Sequence, residues 1–434
     1  MKALIHINIY IYILFLIVSA IYGYKEYIPT FMLVMQSFIA FVFFICVKAS
    51  LKIVNIKQQL GWVFFYTLIF SFLLRLIFWE YTDKPFADAN DSYAYDGIAT
   101  KYINEGYLSF SKYGLSSYNI DDFGFFYIIY TVYHFIGDAK VAQYLMLILN
   151  SLCITYSSYI VYRLCLMLNI EKKIALAATG FYGFFPFLFV TSAVGLKENV
   201  FNLFVSLAFY FMYRYKEKKK IYLLVSALLF VFSTWFFRMA ICLMLFVSFG
   251  FQLIVNERNK KTILYLVLVG IILAPFVLNA FLLATTGISL EQVLAVTEAR
   301  GKVVGENPTT KWLVQILSSL FGPFPNFTRT AQYGIYHSSG LLLKSLMNLF
   351  FFCGLSVVWK RMDAKIYPIV LYLFMGGMML VLSGVALDMR YHVTFFSLWI
   401  VIVAYAWQYA KPKKMLSVAY VIFTVLLILV YNLR

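Results

Sequence analysis

The stretch FGFFYIIYTVYHFIG, residues 123–137, decides how the chain is threaded. It is apolar enough for a membrane span, yet it falls short of the roughly 17–25 residues a helix needs to cross the hydrocarbon core. Counted as a span, it would place Arg163, Lys172 and Lys173 outside and reverse every later loop. Read as an interfacial or re-entrant helix, it leaves thirteen spans. These lie near residues 7–23, 28–49, 61–79, 141–167, 174–194, 199–215, 221–237, 239–256, 262–285, 341–358, 366–384, 391–409 and 415–432. With the N-terminus cytoplasmic, the inner segments carry 21 Lys and Arg against 4 Asp and Glu, and the outer ones 13 against 15. That asymmetry is the positive-inside signature.

Hydrophobic residues make up 63% of the 434 positions, so lipid rather than water is the principal solvent. Backbone groups in lipid must be satisfied within each segment, and the spans are too long and too uniformly apolar for barrel strands. The expected fold is therefore all-α, a single membrane-embedded domain over 1–434. The net charge of +17 does not indicate nucleic acid. Its basic residues come as short clusters beside spans, such as Lys216, Lys218, Lys219 and Lys220, which suit anionic headgroups. Cys46, Cys153, Cys165, Cys242 and Cys353 all fall inside spans and imply neither a disulfide framework nor a metal site. His6, His134 and His337 lack ligand spacing, and His392 reads as a packed interfacial residue. The first apolar stretch has Lys2 as its only basic flank and a poor cleavage signal, so a retained span is expected.

Two outer loops interrupt the spans, 80–140 and 286–340. The first is expected to lay two helices on the membrane surface, 123–137 and a run at 91–105 with Tyr95, Ile98 and Tyr102 on one face. The second opens on a capping-box pattern, Ser289 and Gln292, ahead of a short helix through Arg300. Leu313, Ile316, Leu317 and Leu320 then mark an amphipathic piece ended by Gly322-Pro323-Phe324-Pro325.

Candidate chemistry gathers in the outer segments. Helical spacing puts Asp88, Asp91 and Tyr95 on one face. Carboxylates there suit a general base toward an acceptor hydroxyl, or the binding of a divalent cation such as Mg or Mn. The same pattern also suits a helix N-terminus, where Asp caps and meets the dipole. Lys197 and Glu198 suit binding and orienting a donor phosphate, or form an interfacial ion pair. Arg238 and Arg390 carry the planar fork that grips a phosphate, and each could equally snorkel to headgroups.

The stretch Asp91-Ser92-Tyr93-Ala94-Tyr95-Asp96-Gly97-Ile98-Ala99, followed by Gly106, resembles the first outer loop of bacterial GT-C glycosyltransferases. These are polytopic enzymes that use polyprenyl-phosphate sugars. Their loop reads Asp, three residues, Tyr, three residues, Ala, then Gly, and the resemblance makes Asp91 the catalytic carboxylate. Phe185-Pro186 and Gly195-Leu196-Lys197-Glu198 are similar to the Pro-bearing span and short second outer loop of the same superfamily. This chain departs in having two spans before the first outer loop, and Ser92 where the family has an acidic residue. The resemblance implies direct displacement at the anomeric carbon. Asp91 activates the acceptor, and Arg238, Lys197 or Arg390 neutralises the departing phosphate.

Two other readings compete. Arg329, followed after ten residues by Gly340, resembles the Arg-x10-Gly pattern of O-antigen and capsule polymerases, which act on polyprenyl-diphosphate-linked glycans. A flippase or transporter is the alternative of another class. Ion-coupled transporters place ionisable residues within spans, whereas here no Asp or Glu lies inside one and Arg75 is the only clear mid-span charge. The expected setting is the cytoplasmic membrane of a bacterium with the active loops outside. The expected partners are the bilayer and a polyprenyl-phosphate- or diphosphate-linked glycan, with no nucleic acid.

Overall fold

The computed structural model describes residues 30–87, 89–106, 123–254, scattered positions between 269 and 292, and residues 308–325, 332–361, 363–410 and 414–433. Among them every regular element is helical. The first half comprises α1 (Thr30–Ser50), α2 (Ile56–Thr82), α3 (Asn90–Lys101), α4 (Phe123–Ile136), α5 (Ala139–Met167), α6 (Lys172–Gly183), α7 (Pro186–Ala193) and α8 (Glu198–Lys218). There follow α9 (Ile221–Ser233), a 3-10 turn at Thr234–Phe236, and α10 (Met239–Ile254). The last part holds α11 (Pro308–Phe321), α12 (Gln332–Arg361), α13 (Tyr367–Leu382), α14 (Met389–Tyr409) and α15 (Lys414–Leu433).

Six segments are long and apolar enough to cross a membrane: Ile56–Glu80, Ala139–Met167, Lys172–Ala193, Gly340–Arg361, Met389–Tyr409 and Lys414–Tyr431. The protein is thus a polytopic helical membrane protein. Spans expected at 28–49, 199–215, 221–237, 239–256 and 366–384 are also helices, namely α1, α8, α9, α10 and α13. The span at 7–23 and most of 262–285 lie outside the described residues. The expected span at 174–194 is broken into α6 and α7. Pro186 has no N–H to continue α6 and holds Phe185 extended, with ψ of 127°. Phe185, Phe187 and Phe396 pack at 4.5–4.7 Å between ring centroids and fill the break.

The broken pair α6–α7 and α14 form the core; α14 touches α5, α6, α8, α12 and α13. Its residues from Val393 to Ala406 are buried throughout. In contrast α15 and the far side of α2 turn apolar side chains outward, as lipid-facing helices do (Trp62, Phe65, Leu426 and Val430 are exposed). Lipid tails give helices no hydrophobic reason to associate, so close approach and polar contacts supply it. Gly354 lies where a Cβ would come within 2.7 Å of the Ile402 carbonyl, and Gly376 where one would meet the Phe395 ring. A buried polar chain ties α6, α8 and α14 together. Asn202 donates to Tyr182 Oη at 2.5 Å, Ser397 donates to Asn202 Oδ1 at 2.9 Å, and Ser206 donates to Ser397 at 2.8 Å.

Arg75 is not the only charge buried along a span, as the sequence led one to expect. Lys344, within α12, is 5% exposed. Its ammonium donates to the Gly322 carbonyl, while Asn348 one turn further donates to the Phe321 carbonyl at 2.9 Å. These are free carbonyls at the C-terminal end of α11, where a cation is favoured by the dipole. Lys344 therefore docks the amphipathic piece of the second outer loop onto the bundle.

Replacing Asn202 with Leu is expected to lower stability in detergent by about 1 kcal/mol. Thermal unfolding checks this against Ser226→Ala, whose hydroxyl bonds only its own exposed helix turn. Equal midpoints for the two variants would mean the buried chain contributes nothing to packing.

Candidate active site

Contacts between the turns that join the helices fall into two groups. At one end Gln408 receives the Glu171 N–H, Tyr213 donates to the Lys365 carbonyl and Lys216 donates to the Gln252 carbonyl. At the other, the segments from 83–106, 195–198, 236–238 and 384–391 converge, and with them most of the candidate residues.

The first of these segments is α3, which begins at Asn90 and carries Asp91 in its first turn. Asp88 lies outside the described residues. Ser92, Tyr95 and Ala99 are buried on the inner face of the helix, leaving the Asp91 carboxylate 51% exposed. Tyr95 packs edge-on against Phe125 and Phe126 of α4, with centroids 5.2 and 4.8 Å away. It is a packing residue of the α3–α4 interface, since it is 1% exposed. Burial, followed by the nearby charges of Glu198 and Asp91, pushes its phenol well above the ordinary value.

A second acid on α3, Asp96, holds the helix in place and was missed in reading the sequence. Its Oδ1 accepts from Tyr133 Oη at 2.5 Å and from Gln143 Nε2 at 2.8 Å, so it joins α3 to α4 and α5. Tyr130 donates to the Glu105 carbonyl, and His134 Nδ1 lies 3.0 Å from the Ile103 carbonyl. The short helix α4 is therefore the platform on which α3 and the residues just after it rest.

Lys197 and Glu198 sit where α7 ends and α8 begins, ahead of the span at 199–215. Gly195, at φ +74°, makes the turn, and a Cβ there would come within 3.0 Å of the Phe86 ring. Under the same ring, 4.5 Å from its centroid, lies the Arg75 guanidinium, which donates to the Ala193 carbonyl at 2.6 Å. Lys197 is buried and donates to the Phe237 carbonyl at 3.2 Å. Glu198, 2% exposed, faces Arg238 at a loose 3.7 Å. Among the described residues, Glu198 Oε2 and Arg238 Nη1 are buried without a hydrogen-bond partner. Burial pushes the Glu198 carboxyl above its ordinary value, and Arg238, Arg390 and Lys197 pull it back.

Arg238 also lies 4.0 Å from the Tyr391 ring centroid, and Arg390 lies 5.5 Å from the same ring. Arg390 is fixed by Asp388, whose Oδ2 accepts from its Nε at 2.9 Å and lies 2.8 Å from its Nη2, and whose Oδ1 caps α14. The remaining Nη1 pairs with Asp91. The turn before Asp388 is held by Gln315 of α11, which receives the Ala386 N–H at 3.0 Å, and by His392, whose Nε2 lies 2.9 Å from the Ala386 carbonyl. Asp91, Glu198, Arg238 and Arg390 are thus neighbours, Lys197 lies behind them, and Arg329 is outside the described residues.

Asp91 meets the Arg390 guanidinium, and Asp88, with which it was expected to share a divalent cation, lies outside the described residues. Two guanidiniums beside a half-exposed carboxylate are a combination that phosphate recognition uses.

Residues 123–280 match the family model described as dolichyl-phosphate-mannose-protein mannosyltransferase. No curated protein and no solved structure matches the chain. The matched stretch begins at the first residue of α4 and includes Lys197, Glu198 and Arg238. With the polytopic helical fold, it supports a membrane glycosyltransferase of the GT-C superfamily that uses polyprenyl-phosphate sugars. Asp91 and Arg390 fall on either side of the match.

Tyr133→Phe removes one of the two side-chain donors to Asp96 and should cost about 1 kcal/mol in thermal unfolding. Transfer should fall in part, and less than when Asp91 itself is changed, because α3 loses a tether but not its carboxylate. Transfer equal to wild type would detach Asp96 from the site.

Proposed function

We propose that this protein transfers a sugar from a polyprenyl-phosphate donor, undecaprenyl phosphate in a bacterium, to a membrane-held acceptor. The reaction takes place at the outer face of the cytoplasmic membrane, in the assembly of a surface polysaccharide or glycolipid. The observation that carries this reading is the meeting of Asp91 with Arg390, 299 residues apart in sequence, beside the Arg238–Glu198 pair. A half-exposed carboxylate and two guanidiniums at one membrane edge are what displacement of a phosphate by a hydroxyl requires.

The acceptor oxygen attacks the anomeric carbon while its proton passes to Asp91. The bond from that carbon to the phosphate oxygen breaks, and its electron pair leaves with the phosphate. Arg390 and Arg238 meet the charge that develops on that oxygen. Lys197 adds a positive field from behind, and its bond to the Phe237 carbonyl sets the turn that carries Arg238. The outward orientation rests on the positive-inside pattern.

The test is the profile of lipid-linked and surface glycans in a deletion strain, complemented with wild type or Asp91→Asn. Glycans lacking one sugar, restored by wild type and not by a normally expressed Asp91→Asn, are expected. Removing a general base of this kind typically costs about 100- to 10,000-fold. Accumulation of single complete repeat units would assign the protein to polymerisation instead, and full rescue by Asp91→Asn would move the base elsewhere.

A further inference from the structure

Among the described residues Arg390 meets two carboxylates, and it meets them unequally. Asp388 holds Nε and Nη2 with one oxygen, Oδ2, and is tied through the other to the N-terminus of α14. Asp91 takes Nη1 alone, from a different loop, through a carboxylate that is half in solvent. The first contact is built into the turn, whereas the second can be exchanged. Neighbouring Arg238 is differently placed, since its carboxylate partner Glu198 is buried and stands off at 3.7 Å. The exposed end of Arg390 is therefore where an incoming anion meets the least resistance.

We propose, resting on the function above, that Asp91 and the phosphate of the lipid-linked donor compete for the same guanidinium edge of Arg390. The exchange then couples the two halves of the reaction. In the resting site Asp91 is an anion and occupies Nη1. The donor phosphodiester carries one negative charge, and its arrival displaces Asp91 toward the acceptor hydroxyl. Once Asp91 has taken the acceptor's proton it is neutral and no longer competes. At that moment the departing phosphate gains its second charge, and Arg390 turns wholly to it. Proton transfer to the base thus strengthens binding of the leaving group with no added component.

Asp91→Asn imitates the protonated base, which gives the test its sign. Binding of farnesyl phosphate to the full-length protein in detergent would be measured by calorimetry, with farnesol as the probe lacking phosphate. Asp91→Asn should bind farnesyl phosphate about two- to fivefold more tightly than wild type, the scale of an exposed ion pair released. Arg390→Lys should bind it more weakly, and farnesol should not distinguish the three. Position 91 is half-exposed, so the deciding variant does not put folding at risk. Unchanged or weaker binding by Asp91→Asn would overturn the exchange while leaving the transferase reading intact. Failure of the wild type to prefer farnesyl phosphate over farnesol would overturn both.

Discussion

A bilayer core offers no water to a polar group, so each one must find a partner inside the bundle or reach the edge. Both solutions occur here, and the architecture follows from how they are divided. Asn202, Ser206 and Ser397 satisfy one another deep between α6, α8 and α14. Lys344 and Asn348 are spent on carbonyls that the end of α11 leaves open. Arg75 closes onto the Ala193 carbonyl and the Phe86 ring. At one end of the bundle Asp91, Arg238, Asp388 and Arg390, charged and partly accessible, assemble into a rim.

The rim is assembled from segments that are far apart in sequence, and each is anchored by a buried contact of its own. α3 is fixed through Asp96 to Tyr133 and Gln143, the 195–198 turn through Gly195 against Phe86, and the 384–390 turn through Gln315. Through Gln315, α11 of the second outer loop reaches the segment bearing Arg390, and through Lys344 α11 is itself locked to α12. The two large outer loops therefore bear on opposite sides of the same ion pair. Neither loop has to change conformation for Asp91 to leave Arg390, because the anchors involve other side chains.

Much of this was legible in the chain because lipid imposes simple rules. Hydropathy sufficed for the helical class, and residues 123–136 form a separate short helix of the length their apolar run suggested. Spacing alone placed Tyr95 beside Asp91, but it could not tell that Tyr95 would be buried against Phe125 and Phe126 rather than presented to a ligand. Asp96 was passed over because its partners, Tyr133 and Gln143, lie on other helices and leave no local pattern. Lys344 falls inside the expected span at 341–358, and near its boundary a lone cation carries no local sign of what it will bond. Only the carbonyls of Phe321 and Gly322, brought close by folding, explain why it is inside.

The match to the mannosyltransferase model spans α4 to α10 and so contains half of the rim, Lys197, Glu198 and Arg238. The other half, Asp91 and Arg390, is supplied from outside it. A half with a buried, unpaired Glu198 oxygen is electrostatically incomplete by itself, and Arg390 is among the charges that act on that carboxyl. The same Arg390 is bonded to Asp91. Thus the 384–391 segment, late in the chain, is what connects the carboxylate on α3 to the cations of the 195–198 and 236–238 turns, and the site exists only where the three meet.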